Sequence, residues 1–199
     1  MVRSLALAYG VQVVDPADVL KAASLSGRTV QSVDIKKLVK SKAPVPDSIM
    51  AALLAERVAA RECVQQGWAI DNFPSTESQN SAMAAAGFAP ARMVFLRQEE
   101  EVCVDRCASR RQDQDTGVEY NLRTDPPTDP SARLLINPDD VEDAVRSAYA
   151  DSHDHLEGVA RGVACARVFD SSQREMTVLE QIRAFIDSPL PLQTPNSWS

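Results

Sequence analysis

The sequence predicts an α/β fold in which helices flank a parallel sheet, and two observations carry this prediction. Short apolar runs alternate along the chain with longer segments whose apolar residues recur at helical spacing. Such alternation is typical of parallel sheets, because two parallel strands need a long crossover connection and a helix usually provides it. The chain also has 199 residues, 44% of them hydrophobic, which is the size and composition of a single globular domain.

Helix stops, helix starts and apolar stripes define the elements of the first half. Gly10 ends the first helix, and Asp18 lies near the positive end of the second. Pro46 is well placed to open an amphipathic helix, in which Ile49 and Leu53 lie on one line. The predicted helices are residues 1–9, 18–23, 33–42 and a helix from residue 46, and the predicted strands are residues 11–14 and 67–73.

The second half carries a capping motif, a charged helix and a long polar segment. Thr76 and Gln79 form a capping box for a short helix that ends at Gly87. A helix is predicted at 99–111 because glutamates occupy its start and arginines its end, which complements the helix dipole. Residues 112–138 are polar, contain four prolines and lack periodicity, as functional lids or disordered segments do. The remaining predictions are strands at 92–96 and 164–169, helices at 139–156 and 176–186, and a flexible tail at 188–199.

Charge and hydropathy exclude several classes of partner. The formal net charge of −7 argues against a nucleic-acid or anionic-membrane surface. No apolar run approaches the roughly 18 residues of a transmembrane helix. We therefore expect a cytoplasmic protein that binds neither nucleic acid nor membrane.

The four cysteines and two histidines do not form a metal-binding pattern. Cys103 and Cys107 are four residues apart and share a face of the predicted helix, but no CxxC or HxxxH pattern completes a zinc site. His153 and His155 diverge on a helix because they are two residues apart. We expect reduced thiols that are partly packed in the core, and no bound metal.

A series of short motifs follows an order and spacing typical of one protein family. The motifs are Asp18 and Lys21 in the segment 14–23, Val45-Pro-Asp47, Asp71 and Gln79 in the segment 67–79, Asp105-Arg106 with Arg110-Arg111, Asp115-Thr-Gly117 with Tyr120 and Asp125-Pro-Pro127, and Asp139-Asp140 with Arg146. Over nearly the whole chain the series resembles the adenylate kinases, or nucleoside monophosphate kinases. The resemblance implies a P-loop NTPase fold: a three-layer α/β domain at 1–187, with a monophosphate-binding arm at about 18–60, a mobile lid at about 112–138, and the tail at 188–199.

The chain departs from this family at its phosphate-binding positions. In the family, a glycine-rich loop with a lysine follows the first, central strand and cradles the triphosphate. No GxxxxGK(S/T) stretch occurs in these 199 residues, and the matching region begins inside the helix that follows the loop. Ser75, Asn137 and Ala148 stand where the family has phosphate-binding arginines, and Ala17 and Asn72 replace two family glycines in a chain with only seven.

The resemblance assigns residual nucleotide-binding roles to seven residues, each of which also has a simpler interpretation. The seven are Asp18, Lys21, Asp71, Gln79, Arg106, Arg110 and Arg146. Arg106 and Arg110, four apart on one predicted helix, point the same way as two triphosphate-contacting arginines would, or they complement the helix dipole. Gln79 corresponds to an adenine-contacting glutamine or serves the capping box, and Asp71 is a remnant of metal-water coordination or a turn former. The other three are alternatively a helix-start carboxylate and two surface cations.

Loss of the first strand predicts a structural consequence. The strands that begin near Gly67 and Arg92 lose their common neighbour, and unpaired backbone groups at such edges are costly and invite association. The sequence therefore predicts either direct pairing of these two strands or completion by another polypeptide.

Three functions follow from the resemblance and the departures. The first is a non-catalytic adenylate-kinase-like domain with a structural or interaction role, protein partners and no cofactor; the resemblance implies a cytoplasmic or axonemal setting in cilia and flagella. The second is a true nucleoside monophosphate kinase that uses ATP, AMP and Mg²⁺ and whose first strand and phosphate loop lie upstream of Met1. The third is a nucleotide sensor without turnover. Because phosphoryl transfer relies on positioning and positive charge, we expect no efficient kinase activity from this chain alone and assign no catalytic residue.

Overall fold

The computed structural model describes residues 1–31, 33–161, 163 and 165–189. The greater part of the predicted tail, residues 190–199, lies outside them. The elements of the first half are α1 (Val2–Tyr9), β1 (Gln12–Val14), α2 (Pro16–Leu25), β2 (Thr29–Val30), β3 (Val33–Asp34), α3 (Ile35–Lys40), α4 (Asp47–Val58), α5 (Arg61–Gln66) and β4 (Trp68–Ile70). Those of the second half are α6 (Glu77–Ala85), β5 (Met93–Arg97), α7 (Glu100–Ala108), β6 (Arg110–Asp113), β7 (Glu119–Asn121), β8 (Leu134–Leu135), a short 3-10 helix (Pro138–Asp140), α8 (Glu142–Arg161), β9 (Ala166–Asp170) and α9 (Glu175–Asp187).

Local sequence explains where several helices begin and end. Gly10 closes α1 in the left-handed conformation, at φ 65°, which a residue without a Cβ adopts at little cost. The Asp15 carboxylate accepts a hydrogen bond from the Ala17 N–H and caps α2. Thr76 caps α6 by accepting a hydrogen bond from the Gln79 N–H, which confirms one half of the predicted capping box. The other half differs, because the Gln79 side chain accepts from the Ser75 N–H and not from that of Thr76.

The prediction of one helix over 99–111 is wrong at its carboxyl end. α7 stops at Ala108, and the arginines that follow belong to β6, which pairs antiparallel with both β7 and β8. The segment predicted to lack periodic structure therefore contains a small three-stranded sheet. The strands β6, β7 and β8 have only two to four residues each, which is too short for a recognisable alternation, so the dipole argument extended the helix too far.

The four strands that pair in parallel form two separate pairs. β1 pairs with β4, with Val13 opposite Ala69, and β5 pairs with β9, with Phe95 opposite Val168. The α/β prediction is thereby confirmed. The predicted direct pairing of β4 with β5 does not occur in the described part of the chain, where each of them hydrogen-bonds only to its own partner strand.

Three apolar clusters hold the helices against the strands. One lies between α2, α3 and α4, a second joins β1 and β4 to α4 and α5, and a third joins β5 and β9 to α1 and α9. Their buried members are Ala23, Ile35, Ile49 and Leu53 in the first, Val14, Leu54 and Cys63 in the second, and Phe169, Val178 and Ile182 in the third. Among the described residues, no helix combines the length and apolar character that crossing a membrane requires.

Candidate functional site

One cavity, which we call the arm cavity, opens at the carboxyl ends of β1 and β4. Its volume is about 770 Å³, and its walls come mainly from α2 and α4. The ends of parallel strands are where α/β proteins bind ligands, and this volume suits a small molecule. Two predicted site residues line it, Asp18 from the first turn of α2 and Asp71 immediately after β4. Lys21, the third residue predicted for this region, is exposed and is not part of the lining.

The charges around the arm cavity are mixed and largely paired. Its lining carries three arginines, Arg3, Arg28 and Arg57, and four carboxylates, Asp15, Asp18, Glu56 and Asp71. Arg28 donates two hydrogen bonds to Glu56, and these bonds lower the pKa of the Glu56 carboxyl and raise that of the guanidinium. Arg57 lies 3.0 Å from Glu62. The cavity thus has no excess of positive charge for a phosphate.

A second, smaller cavity, the lid cavity, lies between α7 and the small antiparallel sheet. It measures about 440 Å³ and is lined by Arg106, Cys107, Arg110, Glu119, Tyr120, Asn121, Thr124 and Asp125. Arg106 and Arg110 were predicted to share one helix face, and that geometry is wrong because Arg110 lies on β6. The fold nevertheless brings both guanidinium groups to this cavity, where two carboxylates balance them.

Each lid-cavity arginine is held by neighbours from the chain itself. The Arg110 Nε donates to both oxygens of Asp140, at 3.1 and 2.9 Å, and a second guanidinium nitrogen contacts the same carboxylate. These bonds raise the pKa of Arg110. Arg106 donates to the Gln98 side-chain oxygen at 2.9 Å and to the Ser171 carbonyl at 3.4 Å.

Arg146 links two helices. From α8 it donates hydrogen bonds to Glu101 and Glu100 at the start of α7, each at 2.9 Å, and to Glu142 one turn earlier on its own helix at 2.8 Å. These bonds, led by those to Glu101, raise the pKa of Arg146. The side chain is one-third exposed, and it joins α7 to α8 where the sequence suggested a nucleotide contact or a free surface charge.

The positions where resemblance places nucleotide contacts in α6 and after the lid make local hydrogen bonds. The Gln79 side-chain oxygen accepts from the backbone N–H and the hydroxyl of Ser75, at 2.8 and 3.0 Å. Asn137 accepts from the Asp139 N–H at 3.1 Å and caps the 3-10 helix, and Ala148 is exposed on α8. At these three positions, polar or small side chains serve the backbone or face solvent.

Two residues of the site were missed as site residues. Asp140 is 3% exposed and is the anchor of Arg110, and the Asp139-Asp140 motif was its only signal in the sequence. Gln98 follows β5 directly and accepts a hydrogen bond from Arg106, and its side-chain nitrogen is buried without a hydrogen-bond partner. The Arg110–Asp140 contact leaves no local pattern, because the pair spans 30 residues.

The thiols and acidic residues form no metal site in the described residues, where no group of three or more potential ligands comes together. All four cysteines are free. Burial, with the neighbouring Cys107 as a smaller cause, raises the pKa of the Cys103 thiol, and burial does the same for Cys165. Both thiols are accordingly poor nucleophiles at neutral pH.

Comparison with known proteins relates the chain to one family. It is 30% identical over 189 residues to adenylate kinase 8 of Rattus norvegicus, which covers 92% of this chain and 38% of that protein. The same identity holds over 193 residues with adenylate kinase 8 of Homo sapiens, covering 96% of this chain and 40% of the relative. An adenylate kinase of Giardia intestinalis is 30% identical over 162 residues, or 79% of this chain and 64% of its own length.

The matches cover most of this chain but less than half of the mammalian relatives. The chain spans about two-fifths of the length of the mammalian relatives. No protein-family model matches it. The similarities to the named kinases nevertheless cover most of the chain at a constant identity, and they show that it is related to the adenylate kinase family.

Proposed function

We propose that this chain is a non-catalytic adenylate-kinase-like domain with a structural or interaction role. The observation that carries the proposal is the charge of the two cavities described above. Three arginines face four carboxylates in the arm cavity, and two arginines face two carboxylates in the lid cavity. Phosphoryl transfer needs positive charge around the transferring group, because the protein stabilises the charge that spreads over its oxygens.

The sequence at the remaining phosphate-binding positions supports the same proposal. No GxxxxGK(S/T) stretch is present, and Ser75, Asn137 and Ala148 supply no guanidinium where the family has one. Losing one such arginine costs on the order of 10³-fold in rate, although several losses do not add simply. By resemblance the fold is a three-layer sheet, and its residual site residues within these 199 positions are not a working catalytic set.

Exposed aliphatic side chains in and after the lid-like segment support an interaction role. Val118, Leu122, Leu135, Ile136 and Val141 are each 42–54% exposed. A continuous apolar patch favours contact with another protein, and the proposal is that these side chains contribute to one. The proposal includes protein partners, no resident cofactor, and a cytoplasmic or axonemal location, which immunolocalisation tests directly.

A second candidate function is kinase activity of a longer polypeptide that contains this chain. It is favoured by the names of the relatives, which are adenylate kinases, and by their greater length. In that case ATP, AMP and Mg²⁺ are its substrates and cofactor, and the residues of this chain contribute only part of the site. The sequence encoded upstream of Met1 distinguishes the two, because an in-frame strand followed by GxxxxGK(S/T) favours the kinase.

A coupled assay tests the proposal. The chain is incubated with ATP, AMP and Mg²⁺, and ADP is followed through pyruvate kinase and lactate dehydrogenase, with the Giardia adenylate kinase as the positive control. We expect no ADP above the buffer rate. Turnover that rises with protein concentration and disappears in Arg110→Ala refutes the proposal, since contaminating kinase activity does not respond to that substitution.

Calorimetric titration with AMP and with ATP separates a silent domain from a sensor. We expect no heat of binding at about millimolar nucleotide, because nucleotide phosphates meet no excess positive charge in either cavity. Heat that is lost in both Arg106→Ala and Arg110→Ala identifies the chain as a nucleotide sensor without turnover and contradicts a purely structural role.

A further inference from the structure

The lysines of the chain are confined to one short segment. Their positions are Lys21, Lys36, Lys37, Lys40 and Lys42, and all the other basic residues are arginines. With Arg28, the segment 21–42 holds six basic residues and one acidic residue, Asp34, so its net charge is +5 in a chain whose net charge is −7. Such charge asymmetry within a chain is typical of a surface that meets a partner of the opposite charge.

Four of these lysines form what we call the lysine patch, which consists of Lys36, Lys37, Lys40 and Lys42. The first three belong to α3, and Lys42 lies in the turn that follows it. Ile35 is fully buried in the cluster between α2, α3 and α4, so the helix packs by that face. Lys36 and Lys40 are one turn apart and therefore adjacent on the helix surface. All four lysines are exposed, and the Lys37 side chain is 86% exposed.

Little negative charge balances the lysine patch. The Asp34 carboxylate caps α3 by accepting a hydrogen bond from the Lys37 N–H, and it lies 3.8 Å from the Lys37 ammonium group. In the described part of the chain, Lys36, Lys40 and Lys42 make no ion pair. Positive side chains three and four residues apart repel each other and destabilise a helix. The stability of α3 therefore does not explain why three lysines are placed on it.

The helix dipole does not explain the patch either. Lys37 and Lys40 lie in the last turn of α3, where positive charge is favourable. Lys36 is the second residue of the helix and lies near its positive end, where a cation is unfavourable. Lys42 adopts a left-handed conformation, at φ 54°, which glycine occupies at lower cost. Two of the four lysines thus occupy positions that local energetics disfavour, and such positions are typical of functional surfaces.

We propose that the lysine patch binds an acidic segment of another protein, with several aspartates or glutamates in an extended stretch. Lysine ammonium groups are point charges on flexible stems, so they adapt to carboxylates in several arrangements, whereas planar two-point recognition of phosphate favours arginine. Residues 10–67 contain no aromatic side chain on which a base could stack, which disfavours a nucleic acid. On α3 the exposed large apolar side chain is Val39 alone, which is too little for insertion into a membrane.

A second copy of this chain is a poor source of the acidic segment. The carboxylates gathered at the starts of α7 and α8 already bind Arg146, namely those of Glu100, Glu101 and Glu142. We therefore expect a partner of different sequence. An acidic partner gives a chemical class to the interaction role proposed above and rests on that role, but the two fail separately. Formation of ADP in the coupled assay overturns the lack of catalysis, whereas peptide binding is measured without nucleotide and tests the patch alone.

Fluorescence anisotropy of a labelled acidic peptide tests the proposal. The probe is fluorescein-Gly-Glu-Glu-Gly-Glu-Glu-Gly-Glu-Glu-amide, and the control peptide has glutamine in place of every glutamate. At about 0.01 M salt, we expect the full-length chain to bind the probe and not the control peptide. Raising the salt to about 0.1 M shortens the Debye length from about 30 Å to about 10 Å, so the affinity for the probe should fall by at least about tenfold.

Two variants of equal net charge locate the binding surface. One replaces the four patch lysines with glutamine. The other replaces four exposed arginines elsewhere with glutamine, namely Arg61, Arg97, Arg174 and Arg183. We expect the lysine variant to bind the probe at least about tenfold more weakly, and the arginine variant to change the affinity by less than about threefold. A third variant with arginine at the four patch positions keeps the charge and should retain binding, which separates lost charge from a disturbed fold.

Four results overturn the proposal. If the probe does not bind at about 0.01 M salt, the patch has no affinity for acidic segments. If the lysine and arginine variants lose affinity equally, the attraction comes from overall charge and not from the patch. If a short oligothymidylate or vesicles of phosphatidylcholine and phosphatidylserine displace the probe more effectively than unlabelled peptide does, the ligand is a nucleic acid or a membrane. If sedimentation equilibrium shows self-association that the lysine variant abolishes, a second copy is the occupant.

Discussion

Removing the guanidinium of Arg110 should strongly destabilise the lid end of the molecule, because it strands a buried carboxylate. The Asp140 side chain is 2% exposed, whereas the Arg110 side chain is 45% exposed. Two charges about 4 Å apart interact by roughly 4 kcal/mol at an effective dielectric constant of about 20. Exposure of one partner reduces this value, so we expect Arg110→Ala to lower the free energy of unfolding by about 2 kcal/mol, between surface and fully buried pairs.

Urea denaturation at neutral pH measures this loss. With a slope of about 2 kcal/mol per molar urea, the midpoint should fall by about 1 M. Arg133→Ala is the matched control, because its partner Asp115 is 58% exposed and the arginine itself 63% exposed. Such a surface pair contributes about 0–1 kcal/mol, so its removal should lower the midpoint by less than about half a molar unit.

A double substitution isolates the cause. Arg110→Ala combined with Asp140→Ala removes the stranded charge together with its partner, and it should be less destabilising than the sum of the single changes. If Arg110→Ala moves the midpoint no further than Arg133→Ala, or if the two single effects add, the pair does not act as a buried charge and the reasoning fails.

Three further predictions follow from single contacts. Arg146→Ala should lower the midpoint of thermal unfolding and speed amide exchange in α7 and α8, and an unchanged exchange rate in both helices contradicts its linking role. Thr76→Ala should cost about 1 kcal/mol in urea unfolding through loss of the α6 cap, whereas Thr177→Ala, an exposed residue inside α9, should change stability by less than about 0.5 kcal/mol. Since Arg28 lowers the pKa of Glu56, the ion pair stabilises the fold above the unfolded pKa of the carboxyl, and this stabilisation is lost as the pH falls through the folded pKa. Arg28→Ala should therefore make the midpoint of thermal unfolding fall less steeply between about pH 5 and 3 than it does in the unsubstituted protein. An identical pH dependence in both proteins opposes this assignment.

Most of the helices were predictable from local signals, which are helix caps and apolar periodicity. Gly10 ended α1, the stripe through Ile49 and Leu53 placed α4, and Thr76 started α6, because caps and apolar periodicity act within a few residues of one another. The small sheet of β6, β7 and β8 could not be predicted in this way. Its strands have two to four residues, too short for a periodic pattern, and β8 pairs with β6 across more than twenty positions.

Four of the seven predicted site residues line the two cavities described above, and their contacts were not predictable. Asp18 and Asp71 line the arm cavity because both follow the carboxyl end of a parallel strand, a relation that the order of elements already implies. The partner of Arg110 was not predictable, since it required knowing that a turn near residue 140 packs under β6. Charge pairing of this kind depends on tertiary structure, and it changes the interpretation of each arginine from ligand contact to internal support.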